Sequence, residues 1–506
     1  MFCRIRSGGV IGIDGFLVDV EIDFSPGLPQ FNIVGLPDKA INEAKDRVRS
    51  ALKNVGFQLP SKRITVNLAP SHLKKQGTLY DLPIAVGILK LSGVLDVDEE
   101  TVFLGELSLD GKVNPVSGVL PIVLSLKEKG FRRFVVPKAN AKEGAIVQGA
   151  EVYGVESLNQ LIAFLRGEKE LKPEEVDLNE LFSKAFDYSI DLADVKGQYE
   201  AKKALEISAA GMHNLLLIGP PGAGKSMLAK RIVTILPPLS LEEALEVSKI
   251  YSVAGMLKEP LMVQRPFRAP HYTASEVALI GGGSNPTPGE ISLAHRGVLF
   301  LDEMVEFNRK TLEALRQPIE DGYVSISRVG GRVTFPSNFI LVGATNPCPC
   351  GNYRNPYKAC VCSPAQIRAY QSKLSGPILD RIDLKVWVEP VEVQELVNPS
   401  PGESSKEVRE RVMRAYQIQR ERFKNSRTKF NGQMTEKEIE KYCILTPKAK
   451  ELLERAMDKF HLSGRSYARL LKVSRTIADL EGEEQIKEHH IAQAIQYRIE
   501  DKLESM

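Results

Sequence analysis

Gly219-Pro220-Pro221-Gly222-Ala223-Gly224-Lys225-Ser226 follows the apolar run Leu215-Leu216-Leu217-Ile218 and leads into Met227-Leu228-Ala229-Lys230. Strand, glycine-rich turn and helix start in direct succession are the context a phosphate-binding loop requires. The glycines let backbone N–H groups turn inward around an anion, and the helix start adds partial positive charge. Residues Gly219, Pro220, Pro221, Gly222, Ala223, Gly224, Lys225, Ser226 and Met227 are the expected nucleotide-binding set. Lys225 is expected to reach the β- and γ-phosphates and Ser226 to ligate Mg²⁺. The chain is therefore read as a nucleoside-triphosphate binder with ATP and Mg²⁺ as cofactors.

At 506 residues the chain exceeds one core, and its length suggests about three domains. With 67 basic and 64 acidic residues, bulk charge does not announce a nucleic-acid binder, although a local basic surface remains open. No apolar run approaches the ~20 residues that cross a bilayer, so no membrane partner is expected. Met1-Phe2-Cys3-Arg4-Ile5-Arg6 lacks a secretory pattern, and the cytoplasm is the expected compartment. Six cysteines, four of them clustered, point to metal rather than to a disulfide scaffold.

Residues 1–168 read as mixed α/β. Strands are expected at Phe16–Phe24, Arg63–Leu68, Val102–Leu107 and Arg133–Val136, and helices at Asp38–Val55 and Leu82–Leu91. The acidic stretch Gly167–Asp177 reads as a linker. The nucleotide-binding core is placed at 188–392. After a second linker at Asn398–Ser405, residues 406–506 read as a helical bundle.

Within the core, Gly297-Val298-Leu299-Phe300-Leu301-Asp302-Glu303 is a hydrophobic strand ending in two carboxylates. Asp302 would hold Mg²⁺ and Glu303 would orient or deprotonate the attacking water. A third strand, Phe339–Thr345, ends at Asn346, which would sit between the γ-phosphate and the lytic water; the bland reading is a turn residue before Pro347. Arg381, in Leu379-Asp380-Arg381-Ile382-Asp383, reads either as a finger reaching a neighbouring subunit's γ-phosphate or as a surface partner of Asp380 or Asp383. Cys348-Pro349-Cys350 and Cys360-Val361-Cys362 supply four thiolates for a structural Zn²⁺; free buried thiols are the alternative.

These elements, in this order and with a helical lid behind them, resemble the AAA+ family. Phe267-Arg268-Ala269-Pro270-His271-Tyr272-Thr273, Leu279-Ile280-Gly281-Gly282-Gly283, Pro288–His295 and Asn346-Pro347-Cys348-Pro349-Cys350-Gly351 narrow the resemblance to its magnesium-chelatase-like branch, nearest the bacterial competence-protein ComM/YifB group. The resemblance covers essentially the whole chain. The fold it implies is α/β: a P-loop AAA+ core with an α-helical lid, preceded by a Lon-protease-like α+β domain. It also implies a sensor 2 arginine in the lid, for which Arg465 is chosen and Arg469 competes.

Tyr323–Phe335 has a hairpin pattern around Gly330-Gly331, with Arg328 and Arg332 flanking the tip. In related AAA+ helicases such a hairpin points into the ring channel, which would put both arginines on DNA phosphates; otherwise they keep an edge strand soluble. Tyr251–Arg268 is a second candidate channel element. In the N-terminal domain the positions matching a Lon-type Ser–Lys pair are Asp81 or Leu82 and Leu120, so no peptidase activity is expected. Lys74-Lys75 and Lys62-Arg63 offer basic points there.

The resemblance implies a homo-hexameric DNA helicase that migrates branched DNA, promotes integration of incoming single strands during natural transformation or homologous recombination, and works beside recombination proteins. A metal-insertion motor acting on a porphyrin partner, and a regulatory or chaperone ATPase acting on proteins, are the competing readings.

Overall fold

The computed structural model describes residues 1–328, 331–374 and 376–498. The hairpin tip at Val329-Gly330, Ser375 of the Arg381 motif, and residues 499–506 of the expected lid lie outside the described residues.

The N-terminal region is built on a seven-stranded mixed sheet. Its strands are β1 (Phe2–Ile11), β2 (Asp14–Ser25), β3 (Gln30–Val34), β4 (Arg63–Ala69), β5 (Thr101–Phe103), β6 (Arg133–Pro137) and β7 (Glu151–Val155), in the order β3-β4-β2-β1-β5-β6-β7. β1 and β2 form a long antiparallel pair from Phe2↔Asp23 to Ile11↔Asp14. The sequence reading assigned β1 no element, although its inward Cys3 and Ile5 alternate with charged Arg4 and Arg6, which pair with Asp19, Glu21 and Glu99. The expected helix at Asp38–Val55 breaks at Glu43, leaving α1 (Ala44–Asn54) after a single turn at Lys39–Asn42. The expected strand at Val102–Leu107 splits into β5 and the short Glu106–Leu107 pair. α2 (Asp81–Leu91), α3 (Val119–Glu128) and α4 (Lys138–Ala145) complete this region; α2 is buried along nearly its whole length.

The core holds five parallel strands, β8 (Leu215–Ile218), β9 (Phe267–Arg268), β10 (Val298–Leu301), β13 (Ile340–Thr345) and β14 (Leu384–Trp387), in the order β9-β10-β13-β8-β14. Between β10 and β13 an antiparallel hairpin is inserted, β11 (Tyr323–Arg328) and β12 (Gly331–Pro336). Leu215, Leu217, Val298, Leu299, Ile340 and Leu341 are each 0 % exposed. Continuous apolar runs of this kind suit strands covered on both faces. The covering helices are α5 (Tyr199–Gly211), α6 (Lys225–Arg231) and α7 (Leu241–Val253), the last opened by a Ser240/Glu243 capping box. The arrangement is an α/β P-loop fold.

The C-terminal helices include α8 (Ser405–Arg422) and α9 (Gly464–Leu480). They share one apolar cluster with α5 and the sheet. A buried polar network ties them down: Asp479 takes both arms of Arg422 at 2.6 and 2.7 Å and also pairs with Arg475. The backbone N–H of Lys385 on β14 donates to the Tyr497 carbonyl, so the C-terminal helices cover that sheet edge.

The N-terminal region is bonded to the core. Gly118 N–H donates to Ser252 O, and the Ser252 hydroxyl donates to Glu143 at 3.1 Å. Part of Tyr251–Arg268 is spent on this junction: Leu261 and Val263 pack with Ile146 and Val176. Arg265 is buried, with its guanidinium on the carbonyls of Pro237 and Arg296.

Candidate nucleotide site

Gly222 (φ +78°) and Gly224 (φ +95°) take left-handed backbone geometry in the loop after β8, and Gly224 caps α6. A side chain at either would be strained. Gly219 leaves no room for one, since a Cβ there would fall on the Val388 carbonyl. Lys225 opens α6 only 9 % exposed. Its ammonium donates to the carbonyls of Gly219 at 2.6 Å and Pro220 at 2.9 Å, and to Asn346 Oδ1 at 3.3 Å. Burial brings it down to about 8, against the opposing pull of Asp302. The Ser226 hydroxyl donates to Asp302 Oδ2 at 2.8 Å. Sheet register explains why residues 121 apart in sequence meet: Ile218 pairs with Thr345, and Leu301 with Gly343, so the ends of β8, β13 and β10 line up. Glu303 follows Asp302 in a left-handed conformation (φ +50°) and is exposed beside the site.

Ser226 and Asp302 are thus the oxygen pair that would hold Mg²⁺, with Lys225 and the loop amides for the phosphates and Asn346 in touch with Lys225. The donor set is hard oxygen and fits that ion. Sequence reasoning missed Gln198: from a left-handed backbone (φ +60°) its amide donates to Ala223 O at 3.1 Å and Glu389 O at 2.6 Å, bracing the loop against the end of β14. An isolated Gln 21 to 28 positions before the loop carries no motif, so nothing in the sequence marks it.

The four cysteine sulfurs lie within 4.8 Å of one another. Cys348–Cys350, Cys350–Cys360 and Cys348–Cys360 are 3.4, 3.6 and 3.8 Å apart. A tetrahedron of Zn–S bonds of about 2.3 Å has edges of roughly 3.8 Å, so the set fits zinc. Backbone N–H groups of Asn352 and Tyr353 point at Cys350 and Cys348, and such bonds bring Cys350 down to about 6, whereas Cys360 and Cys362 lie above the usual thiol range with burial and the neighbouring sulfurs raising them, the pattern of thiols crowded together without a cation. This knuckle touches the phosphate loop: a Cβ on Gly351 would lie 2.6 Å from Pro221.

The arginines chosen from sequence are elsewhere. Arg381 follows the single turn Gly376–Leu379 rather than riding inside a helix. Its neighbour Asp383 is bonded through its backbone to Asn214, before β8, so Arg381 sits at the opposite end of the strands from Lys225. Neither Asp380 nor Asp383 is its ion-pair partner. Arg381 pairs with Glu320, while Asp380 takes Arg465 at 3.6 Å and Asp383 takes His213 at 2.9 Å and Arg469 at 3.9 Å. Burial, together with Arg316, Arg465 and Arg469, holds Arg381 below its usual range. Arg465 is 74 % and Arg469 13 % exposed, so both candidates lie on this far pole. A cavity of about 530 Å³ opens there, lined by Arg381, Asp383, Arg469 and Lys472.

Arg332 is exposed on the hairpin, whereas Arg328 is partly buried and turned toward the N-terminal region. Lys75 is not a surface charge: it is 1 % exposed, and its ammonium holds the carbonyls of Gly35 and Pro70. Asp81 is locked by Arg47 at 2.7 Å and by the Leu107 N–H at 3.0 Å, and Leu120 is fully buried. No helix of the described residues is long and apolar enough to cross a membrane.

Three family models match the chain. Residues 191–396 match the family described as magnesium chelatase, subunit ChlI; residues 20–140 match subunit ChlI of Mg-chelatase, and 402–498 the ChlI C-terminal family. The chain is 46 % identical over 499 residues to the competence protein ComM of Haemophilus influenzae, covering 98 % of this chain and 97 % of that one. It is 43 % identical over 505 residues to the uncharacterized protein YifB of Escherichia coli, covering 99 % and 97 %. Similarity to the magnesium-chelatase subunit ChlI of Guillardia theta is 25 % over 178 residues, 30 % of this chain and 50 % of that one.

Proposed function

This chain belongs to the magnesium-chelatase-like ComM/YifB group, an AAA+ branch of ATP-binding proteins, and on that premise we propose that it is an ATP-driven, ring-forming motor on branched DNA. The observation that carries the reading is the split between poles. Lys225, Ser226, Asp302, Glu303 and Asn346 gather at one end of the sheet, and Arg381 and Arg465 at the other. In a head-to-tail ring, the far pole of one chain faces the phosphate site of the next, so one protomer binds and hydrolyses while its neighbour offsets the developing charge. Lys225 would bind the β- and γ-phosphates, Ser226 and Asp302 would hold a Mg²⁺ that neutralises phosphate charge, and Glu303 would orient or deprotonate the attacking water. Arg381 leaves Glu320 to act as the finger, and Arg465 serves as sensor 2, with Arg469 its rival. Six copies are the expected ring.

The DNA half of the reading rests on the hairpin bearing Arg328 and Arg332, and on the near full-length likeness to a competence protein. The N-terminal region, Lon-like by resemblance but with Asp81 in an ion pair and Leu120 buried, is read as a docking element without peptidase chemistry. The test is ATP turnover with and without a four-way junction. Severalfold stimulation, lost in Arg332→Glu while basal turnover remains, is the expected result. Turnover indifferent to junction, fork and linear DNA alike would sink the DNA motor and favour an ATPase acting on proteins.

A further inference from the structure

From Gly322 to Leu379 the chain holds no aspartate and no glutamate, its longest run of that kind. One residue in eight of the whole chain is acidic (64 of 506), so these 58 positions would ordinarily carry about seven carboxylates. Six cations stand in the run: Arg328 and Arg332 on the hairpin, Arg354 and Lys358 in the cysteine knuckle, Arg368 and Lys373 in and just after the helix Pro364–Gln371. A chain of net charge +3 therefore gathers +6 in this one segment.

The knuckle half of the run faces outward. Arg354, Lys358, Arg368 and Lys373 are all exposed. Among the described residues Lys358, Arg368 and Lys373 form no ion pair; Lys373 lies over the Tyr370 ring at 5.4 Å. The helix Pro364–Gln371 is opened by a Ser363/Gln366 capping box, yet it buries none of its residues. Between these cations Tyr357 is 61 % and Val361 85 % exposed. The frame beneath them is braced. Arg354 sits over the rings of Tyr353 and Trp387 at 5.6 and 5.4 Å, Tyr353 N–H donates to Cys348 Sγ at 3.3 Å, and Tyr357 N–H donates to Asn355 Oδ1 at 2.9 Å. A bare aromatic ring on a fixed turn, among cations with no carboxylate to quench them, is the make-up of a surface that tracks a single strand: phosphates meet the cations and a base stacks on the ring. The hairpin root and the knuckle leave β13 from its opposite ends, about 20 Å apart for six residues of strand. One charge sign held over that span suits an extended polyanion better than a compact acidic patch on a protein.

We propose that the outer face of the cysteine knuckle binds single-stranded DNA, with phosphates on Lys358, Arg368 and Lys373 and a base stacked on Tyr357. Use of that strand in a motor rests on the DNA reading above; the binding itself does not. The knuckle then serves two surfaces, the phosphate loop on its inner side and the strand on its outer side.

The test uses the full chain with a non-hydrolysable ATP analogue. Binding of a labelled 20-nucleotide single strand is followed by anisotropy over a salt series, and an iodouracil-substituted strand is photocrosslinked and mapped by peptide mass spectrometry. The double variant Lys358→Glu/Arg368→Glu should bind at least tenfold more weakly, with the salt slope lowered by about 1.4, two contacts at about 0.7 each. Tyr357→Ala should bind at least fivefold more weakly at an unchanged slope and lose the crosslink at position 357. These side chains are exposed, so the thermal midpoint and basal ATP turnover should stay at wild-type values. A wild-type slope in the double variant, with crosslinks in the hairpin alone, overturns the knuckle site and leaves the DNA motor standing. Knuckle-dependent binding with turnover indifferent to DNA keeps the site and sinks the motor. Unaltered DNA binding with impaired ring assembly marks the face as a contact between copies and overturns the proposal. No binding by the wild-type chain overturns site and motor together.

Discussion

Lys225 is a cation held mostly out of water, and its chemistry sets a pH limit on the site. Burial lowers it to about 8, so above that pH the free protein increasingly holds a neutral amine. A bound triphosphate would restore the charge. Nucleotide affinity should therefore be flat below pH 7.5, fall by up to about tenfold between pH 8 and 9, and be accompanied there by proton uptake. Calorimetry in buffers of different ionisation enthalpy measures that uptake; a pH-independent affinity would remove the assigned role. This residue was legible in the sequence because a phosphate loop must draw its donors from consecutive positions. Arg381 was legible as a residue but not in its pairing. Its partner Glu320 lies 61 positions away, and the adjacent aspartates that sequence offered are claimed by Arg465, Arg469 and His213.

At the scale of elements, the cysteine knuckle shows how a short insertion reaches the site. Gly351, the residue directly after Cys350, lies against Pro221, so the knuckle braces the phosphate loop from outside. The purified protein is expected to hold one zinc per chain. Cys360→Ser should lose it, lower the thermal midpoint and weaken nucleotide binding severalfold; elemental analysis and nucleotide titration check both halves. Metal-free protein with unaltered nucleotide affinity would refute the bracing. The two C-x-C pairs were readable because each puts two thiols within one short turn, a spacing that lets both reach a single ion. The docking of Tyr251–Arg268 was not, because an inter-domain apolar patch leaves no periodic mark, whereas β1 did carry period-2 alternation at Cys3-Arg4-Ile5-Arg6, and the reading passed over it.

At the scale of the whole molecule, the junction between the N-terminal region and the core turns on Glu143, 7 % exposed, which accepts from Leu120 N–H and the Ser252 hydroxyl. Burial lifts it from 4.5 to about 7. The folded chain keeps a proton that the unfolded chain has lost, so this group favours folding most at low pH, and its cost grows to ~3 kcal/mol as pH rises from 4.5 through 7. Glu143→Gln should flatten that slope in denaturant melts over the same window. The two poles make a second prediction. Lys225→Ala and Arg381→Ala chains, each inert alone, should recover turnover when mixed, because a mixed ring contains an intact phosphate site facing an intact arginine. Failure to complement would place the finger elsewhere.

On the ring reading, a solitary protomer would be inert, because its phosphate site and its Arg381 stand at opposite ends of the sheet. Turnover per chain should then climb with protein concentration and fade at nanomolar dilution, long before any chain unfolds. Scarcity would itself be the safety catch: nucleotide is spent only where enough copies have gathered to close a circle.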